Sequence, residues 1–514
     1  MAISERQPPG ADQQQSAQFV MPAMPETPDQ RTLGVTSPEP WYRTRWAIRI
    51  GMALLIAGYI LFWGLTAFYT VNPTDIDVFF VPDTHIALSR GFLFIYQLRV
   101  GVQYPNANGP LSMIPFTIAA WLAQQRGWLG DVYLRRMLIF AVFAPFPLLV
   151  GWEALRATDR HFARPLTGLT RIVAYGVFAL TPELWHSALF YGHMEQPMEV
   201  WFVLAGVRFL AERRAAPAGI MLALALLTRS VTAVVLIPLT LILLRDALTD
   251  GDFRMRAWVN AADRARNMRA FWHAGQMLFR YLSALALTLG CVLGPFLLVD
   301  RQDTIFSLVT FRSALPVGGG NFWGLALASN WQDIAMKDDS LLTLGLATLL
   351  TLVVLAVRRN LNARSTDLYG LLALTSLCFP LLIKMFWPYY LLETYFYAAL
   401  WVLASLPQLL AWYATPQEAT QAQESYTGQL VIWASGWLLP VGVVASALVA
   451  EYGISANSYG GWVAPWPAVN TLLFLILMAV SLSWLLLGRQ LWDWALRGIL
   501  GVYLKRANAL PYNQ

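Results

Sequence analysis

Charge is what this chain has least of. Asp, Glu, Lys and Arg make up 13% of its 514 residues, and 57% are hydrophobic. Soluble domains carry roughly 25% charge, so a water-facing globule is excluded. Cysteine is nearly absent. Cys291 and Cys378 both sit in apolar runs, far apart and without metal-ligand spacing, which excludes a disulfide framework and a zinc cluster. There is no series of short alternating segments, so a membrane β-barrel is excluded. No internal repeat suggests the inverted halves of a transporter. The glycines at 318–320 follow no strand, so they are not a dinucleotide fingerprint. Residues 1–40 lack the basic start and apolar core of a secretory signal and are rich in Gln, Pro and Ser. That composition predicts a disordered tail.

What the chain does have is apolar runs, several reaching the ~20 residues that span a bilayer as a helix. The expected fold is an all-α polytopic membrane protein. Candidate spans lie near 46–68, 132–155, 168–190, 195–211, 215–228, 230–245, 278–299, 340–357, 367–386, 388–413, 430–450 and 468–488. Trp41, Arg43, Arg45, Trp46 and Arg49 form a basic, aromatic approach to the first span, which predicts a cytoplasmic N-terminus. Arginines then cluster at 156–171, 213–214, 245–269, 358–364 and 489–506. All five clusters fall inside only if the apolar stretch 110–125 does not cross but lies along the outer surface as a juxtamembrane helix. The result is about twelve spans with both termini inside; the cost is that Arg126, Arg135 and Arg136 lie outside. The net charge of +6 therefore reads as membrane topology, and no nucleic-acid partner is expected.

In this arrangement the unusual polar groups gather on one face. The loop after the first span carries Asp75, Asp77, Asp83 and His85, then Tyr104, Asn106 and Asn108 in a turn that launches 110–125. Acids where a chain leaves the bilayer are costly unless solvated or paired, so they are candidates for chemistry as well as for a solvated loop. Asp75 and Asp77, if extended, face one side, and one carboxylate could take a proton from a hydroxyl. Beyond these come His193, Glu195 and Gln196 at an outer helix start, where an acid also serves as a cap. One His and one Glu do not make a metal site. Arg229, alone between two apolar helices, calls for an anionic partner such as a lipid phosphate, with snorkelling as the alternative. Arg312 and Lys384 are further phosphate candidates; Asn321, Trp323 and Tyr389 flank them as substrate-facing candidates.

Asp75-Ile-Asp77 after the first span, the Tyr104-Pro105 turn before a surface helix, and Ala218-Gly219 through Thr228-Arg229 resemble the GT-C glycosyltransferases. The likeness is greatest to glycosyltransferase family 87, the polyprenol-phosphate-mannose-dependent mannosyltransferases. Arg312 and Asn321-Phe322-Trp323 are similar to an outer-loop motif of dolichol-linked glucosyltransferases in the same superfamily. The resemblance implies a catalytic module over 41–300 with its first outer loop at 69–131, an outer loop at 301–340, a C-terminal transmembrane module at 341–500 and a cytoplasmic tail at 501–514. It implies a polyprenyl-phosphate sugar donor, mannose by the likeness, a lipid or glycan acceptor and an inverting displacement outside the bacterial plasma membrane. The family's essential acid maps onto Asp75 or Asp77, and its basic residue after the Ala-Gly helix, often Lys, onto Arg229. Gly192-His193-Met194-Glu195 departs from the family's Gly-Gln-x-Asn and leaves the acceptor open. No cofactor is expected, since the lipid-linked sugar is a substrate; a helping divalent metal stays open. The rival readings are a flippase or transporter of a lipid-linked solute, and a polymerase or ligase of surface polysaccharide.

Overall fold

The computed structural model describes residues 44–69, 75–97, 106–161, 166, 168–181, 184, 187–250, 261–311, 321–323, 332–384, 386–413, 468 and 470–488. Residues 1–40, Tyr104, Arg312, the glycines at 318–320, the expected span 430–450 and the tail 501–514 lie outside them. Among the described residues every regular element is helical. Six helices are long and apolar enough to cross a bilayer: Arg45–Tyr69, Val132–Asp159, Ser230–Thr249, Gly275–Val299, Lys337–Val357 and Asn470–Gly488. Their apolar side chains also face outward. Only 22% of the first and 6% of the fourth is buried inside the protein. A water-soluble bundle cannot leave such surfaces uncovered, so this is an α-helical membrane protein.

The chain runs through α1 (Arg45–Tyr69), α2 (Val81–Arg90), α3 (Pro110–Gln125), α4 (Val132–Phe143), α5 (Pro145–Asp159) and α6 (Gly168–Ala179). It continues through α7 (Gln196–Ala211), α8 (Ala215–Thr228), α9 (Ala233–Asp250), α10 (Ala261–Val299) and α11 (Gln332–Val357). It then forms α12 (Asp367–Ser376), α13 (Cys378–Leu382) and α14 (Leu392–Tyr413). α7 and α8 match their expected spans, 195–211 and 215–228, to within a residue, whereas α6 has 12 residues and ends at Ala179, short of the expected 190. Arg229 is extended (φ −146°, ψ 136°), so 215–245 is two helices and not one. Both α8 and α9 pack on α10. The stretch 110–125 is a 16-residue helix, at 1.5 Å per residue about 24 Å and short of a crossing. It buries Met113, Phe116 and Ala119 and exposes Ile114, Ile118 and Trp121.

Two ends of the bundle differ in chemistry. At one, Arg171 pairs with Asp159 (2.6 Å), Arg208 with Glu153 (2.9 Å) and Arg358 with Asp367 (2.5 Å). There Arg364 also donates to the Ala211 carbonyl (2.8 Å) and Arg245 to that of Leu361. Arg171, Arg245, Arg358 and Arg364 belong to three of the arginine clusters that the chain spaces between its apolar runs. The opposite end holds the turns that begin or end at Asp75, His193, Arg229 and Tyr389. It is fastened by a close approach of backbone. Gly109 N–H donates to the Thr228 carbonyl (3.1 Å), and a Cβ on Gly109 would lie 1.7 Å from the Leu227 carbonyl oxygen. Gly109→Ala is therefore expected to push the 106–109 turn off the end of α8, at a cost of about 1–3 kcal/mol. A lowered midpoint of thermal unfolding in detergent would register it, and an unchanged midpoint would refute this packing.

Candidate active site

Asp75 stands at the boundary of a π-helical turn, Ile76–Phe80, that runs into α2. In a helical backbone two residues lie about half a revolution apart, so Asp75 and Asp77 diverge. The expectation that both acids face one side assumed extended chain and is corrected here. Asp77 is gripped by two arginines at the start of α4: Arg135 (3.2 Å) and Arg136, whose side chain is 1% exposed. These are two of the three bases that the topology left on the wrong face; an acid from the first loop supplies their counter-charge. Asp75 points elsewhere, and its side chain is 31% exposed.

Asp75 Oδ2 lies 2.7 Å from His193 Nε2, and His193 Nδ1 lies 2.6 Å from Glu195 Oε1. Both ring nitrogens thus face carboxylates, which accept and do not donate, so the ring satisfies both only as an imidazolium. Burial disfavours that charge, but Glu195 and Asp75 outweigh it and push His193 up from 6.5 to about 9. The ring is held on its faces as well. Tyr389 lies 3.9 Å away between centroids and Phe80 meets it edge-on at 6.2 Å.

A group raised in the folded state stabilises below its unfolded value and loses that contribution as pH climbs through the folded one. The His193 pairing is therefore fully present below about pH 6.5 and lost through about pH 9, a swing on the order of 3 kcal/mol. Thermal unfolding from pH 6 to 10 (about this window,) is expected to show this loss in the wild type and a flatter profile in His193→Gln. Parallel profiles would contradict the doubly bonded ring.

Behind His193 the polar chain continues inward. Arg229 Nη1 donates to Glu195 Oε1 (3.1 Å), and its Nε lies 3.6 Å from Glu199 and 3.8 Å from Glu393. All three acids are buried. Thr232 donates to Glu199, and Tyr389 and Tyr390 place their rings 5.6 and 5.9 Å from the guanidinium carbon. Gln196 brackets the site: its amide donates to the Tyr389 carbonyl (2.7 Å) and accepts from Ser187 Oγ (2.6 Å). Asp75, His193, Glu195, Gln196, Arg229 and Tyr389 are thus brought together from four separated segments.

The remaining candidates are placed differently. Arg229, expected to meet an anion such as a lipid phosphate, meets acids of the protein itself: its side chain is 4% exposed, bonded to Glu195 and near Glu199 and Glu393. Asn321 and Trp323 are buried and cap a helix end. Asn321 Nδ2 donates to the carbonyls of Pro380 (3.0 Å) and Ile383 (2.6 Å), and Trp323 Nε1 donates to that of Leu382. Those are the orphaned last carbonyls of α13, so a substrate-facing role for this pair is corrected to a structural one. Asn106 is 1% exposed and closes its own turn, its Oδ1 accepting from Asn108 N–H (2.9 Å), while Asn108 O accepts from Tyr96 (2.9 Å). Both asparagines therefore shape the turn. Lys384 is buried, its N–H donating to Asp339 Oδ2 (3.1 Å). Asp83 and His85 ride on α2, where Asp83 is buried, and neither joins the hydrogen-bonded chain of Asp75, His193 and Glu195.

Glu199 and Glu393 were not picked out from sequence, yet a signal exists: each is an acid inside an apolar run. Among the described residues no three His, Cys, Asp or Glu side chains converge as metal ligands.

Comparison of the chain with protein-family models finds no match, and comparison with curated proteins finds none. The functional reading rests on the site.

Proposed function

We propose that this protein is a membrane glycosyltransferase of the GT-C type that moves a sugar, mannose by the resemblance, from a polyprenyl phosphate to a lipid or glycan hydroxyl. The observation that carries the reading is Asp75. It is the one accessible carboxylate of a buried charge chain, at the end of the bundle where the polar turns meet. His193 occupies Oδ2 and leaves Oδ1 for an acceptor hydroxyl. That hydroxyl oxygen attacks the anomeric carbon, the bond from this carbon to the phosphate oxygen breaks, and the hydroxyl proton passes to Asp75. The products are the glycoside and the polyprenyl phosphate. Phosphate leaves readily, so the chain's own task is to activate the acceptor and to align both substrates.

The positive-inside rule places the basic end in the cytoplasm and this site outside. Counting the shorter apolar helices and the run at 430–450 with the six long ones, this reading has about twelve spans and both termini inside. A bacterial plasma membrane fits a polyprenyl carrier. A flippase would need charged groups at several depths; here Glu199 and Glu393 both sit in the first turn of their helices, beside the same arginine. That arrangement favours a reaction site over a pathway.

The test is transfer from a radiolabelled polyprenyl-phosphate sugar by purified protein, wild type against Asp75→Asn, with membrane lipids and glycans as acceptors. Transfer by the wild type that disappears in the variant supports the reading. A folded wild type that transfers from no such donor would end it.

A further inference from the structure

We propose that Arg229 is a positioning residue which, held by Glu199 and Glu393, fixes the reacting carboxylate through Glu195 and His193. The inference rests on reading Asp75 as the base. It departs from what an isolated arginine beside a lipid-phosphate substrate would suggest, and three observations carry it.

The first is burial with occupancy. The Arg229 side chain is 4% exposed, Nη1 is bonded to Glu195, and Nε faces Glu199 and Glu393. The rings of Tyr389 and Tyr390 lie against it. An incoming phosphate would have to compete with Glu195 for the fork it is bonded to.

The second is charge. The guanidinium already faces the carboxyl groups of three acids, so its charge is met from within the protein. A phosphate bound there would have to displace Glu195, whose other partner is the His193 imidazolium.

The third is connectivity. Glu195 precedes α7, and Glu199 lies in its first turn. Glu393 lies in the first turn of α14, and Arg229 joins α8 to α9. One side chain thus ties the ends of these helices at the depth of the site. Glu195 Oε1 accepts from Arg229 and meets His193 Nδ1, so the carboxylate that aims the imidazole is itself aimed by the arginine. His193 is faced by Asp75, Glu195 and Tyr389; Arg229 is faced by Glu195, Glu199, Glu393, Tyr389 and Tyr390. The chain from Arg229 to Asp75 is continuous, each link within 3.1 Å. Arg229 never touches the acceptor in this arrangement. It acts by holding the next residue.

A clamp on phosphate and a positioning residue differ in what they do to kinetics. The experiment uses full-length protein in lipid nanodiscs with a synthetic polyprenyl-phosphate sugar, and compares wild type, Arg229→Lys, Arg229→Gln, Glu393→Gln and Glu195→Gln. Arg229→Lys keeps the charge and loses the fork, so it is the variant expected to fold. Its kcat at saturating donor is expected to fall about tenfold or more, with donor KM changed less than about threefold. Arg229→Lys combined with Glu195→Gln is expected to be little worse than Glu195→Gln alone, because both act along one chain.

A readout independent of turnover is the titration of His193, followed by NMR on histidine-labelled protein and assigned with His193→Gln. Glu195→Gln is expected to bring its midpoint down from about 9 towards 6.5. Arg229→Gln removes the cation that competes for Glu195 and is expected to raise the midpoint. Should Arg229→Gln not fold, Arg229→Lys and Glu393→Gln still displace the midpoint from the wild-type value if the chain is coupled. Two results overturn the proposal: a donor KM raised about tenfold with saturated kcat unchanged, the signature of a clamp, or a folded Arg229→Lys whose His193 midpoint and saturated kcat both match wild type. A wild type that transfers no sugar but shows the His193 displacements refutes the transferase reading and leaves the coupling of Arg229 to His193 in place.

Discussion

Asp75→Asn is expected to lower sugar transfer by about 10²–10⁴-fold while the lipid-linked donor still binds, the range over which a positioned general base contributes. The substitution is close to isosteric. An amide oxygen can still accept from His193 Nε2–H, so the local geometry survives. What is lost is a site for the acceptor's proton. Oriented binding of both substrates and a good leaving group remain, so the variant should retain slow transfer above the uncatalysed rate. The loss should fall on kcat, since an interaction made only as the hydroxyl loses its proton leaves ground-state binding untouched. Donor binding to the folded variant, read by radiolabel retention, checks that half of the statement. Full activity in Asp75→Asn would remove Asp75 from the chemistry and with it the reading of the site.

Much of this arrangement was visible along the chain, and the reasons for the remainder are physical. Apolar runs and the arginines between them revealed a helical membrane protein and a basic end, because both follow from residue type and order. The break at Arg229 could be read from a lone charge, and the run 132–155 reads as one span and lies within the single long helix Val132–Asp159. Polar residues in apolar surroundings flagged Asp75, His193, Glu195 and Arg229, but not what each one faces. Their partners are fixed by tertiary packing: Asp75 and His193 are 118 residues apart in sequence, Glu195 and Arg229 34. Whether Asp75 and Asp77 face one side depended on whether the loop was extended or coiled, and the π-helical turn sets them apart. Asn321 and Trp323 misled for a related reason. A glycine-rich stretch with an amide and an indole suggests ligand contact, yet the same donors serve the unsatisfied carbonyls of a helix end.

The second acid of the loop has a different expected phenotype. Asp77→Ala should cost the fold about 3–5 kcal/mol, the usual result when one partner is removed from a buried ion pair. Arg136 is 1% exposed and Arg135 12%, so neither can turn fully to solvent when the carboxylate goes. They are the fourth and fifth residues of α4, near its N-terminus, whose partial positive charge adds to their repulsion. Asp77→Asn should be milder but of the same sign, because an amide oxygen accepts a bond without supplying charge. The measurement is the midpoint of heat-induced unfolding in detergent for Asp75→Asn, Asp77→Asn and Asp77→Ala. Asp75 is 31% exposed and His193 keeps Glu195, so its replacement should move the midpoint least. Transfer per folded molecule sharpens the contrast: Asp77 variants that remain folded should retain activity, and Asp75→Asn should not. If Asp77→Asn is as stable as wild type and inactive, the two acids have been assigned the wrong way round, and the ion pairs with Arg135 and Arg136 describe a resting arrangement from which Asp77 is released to act.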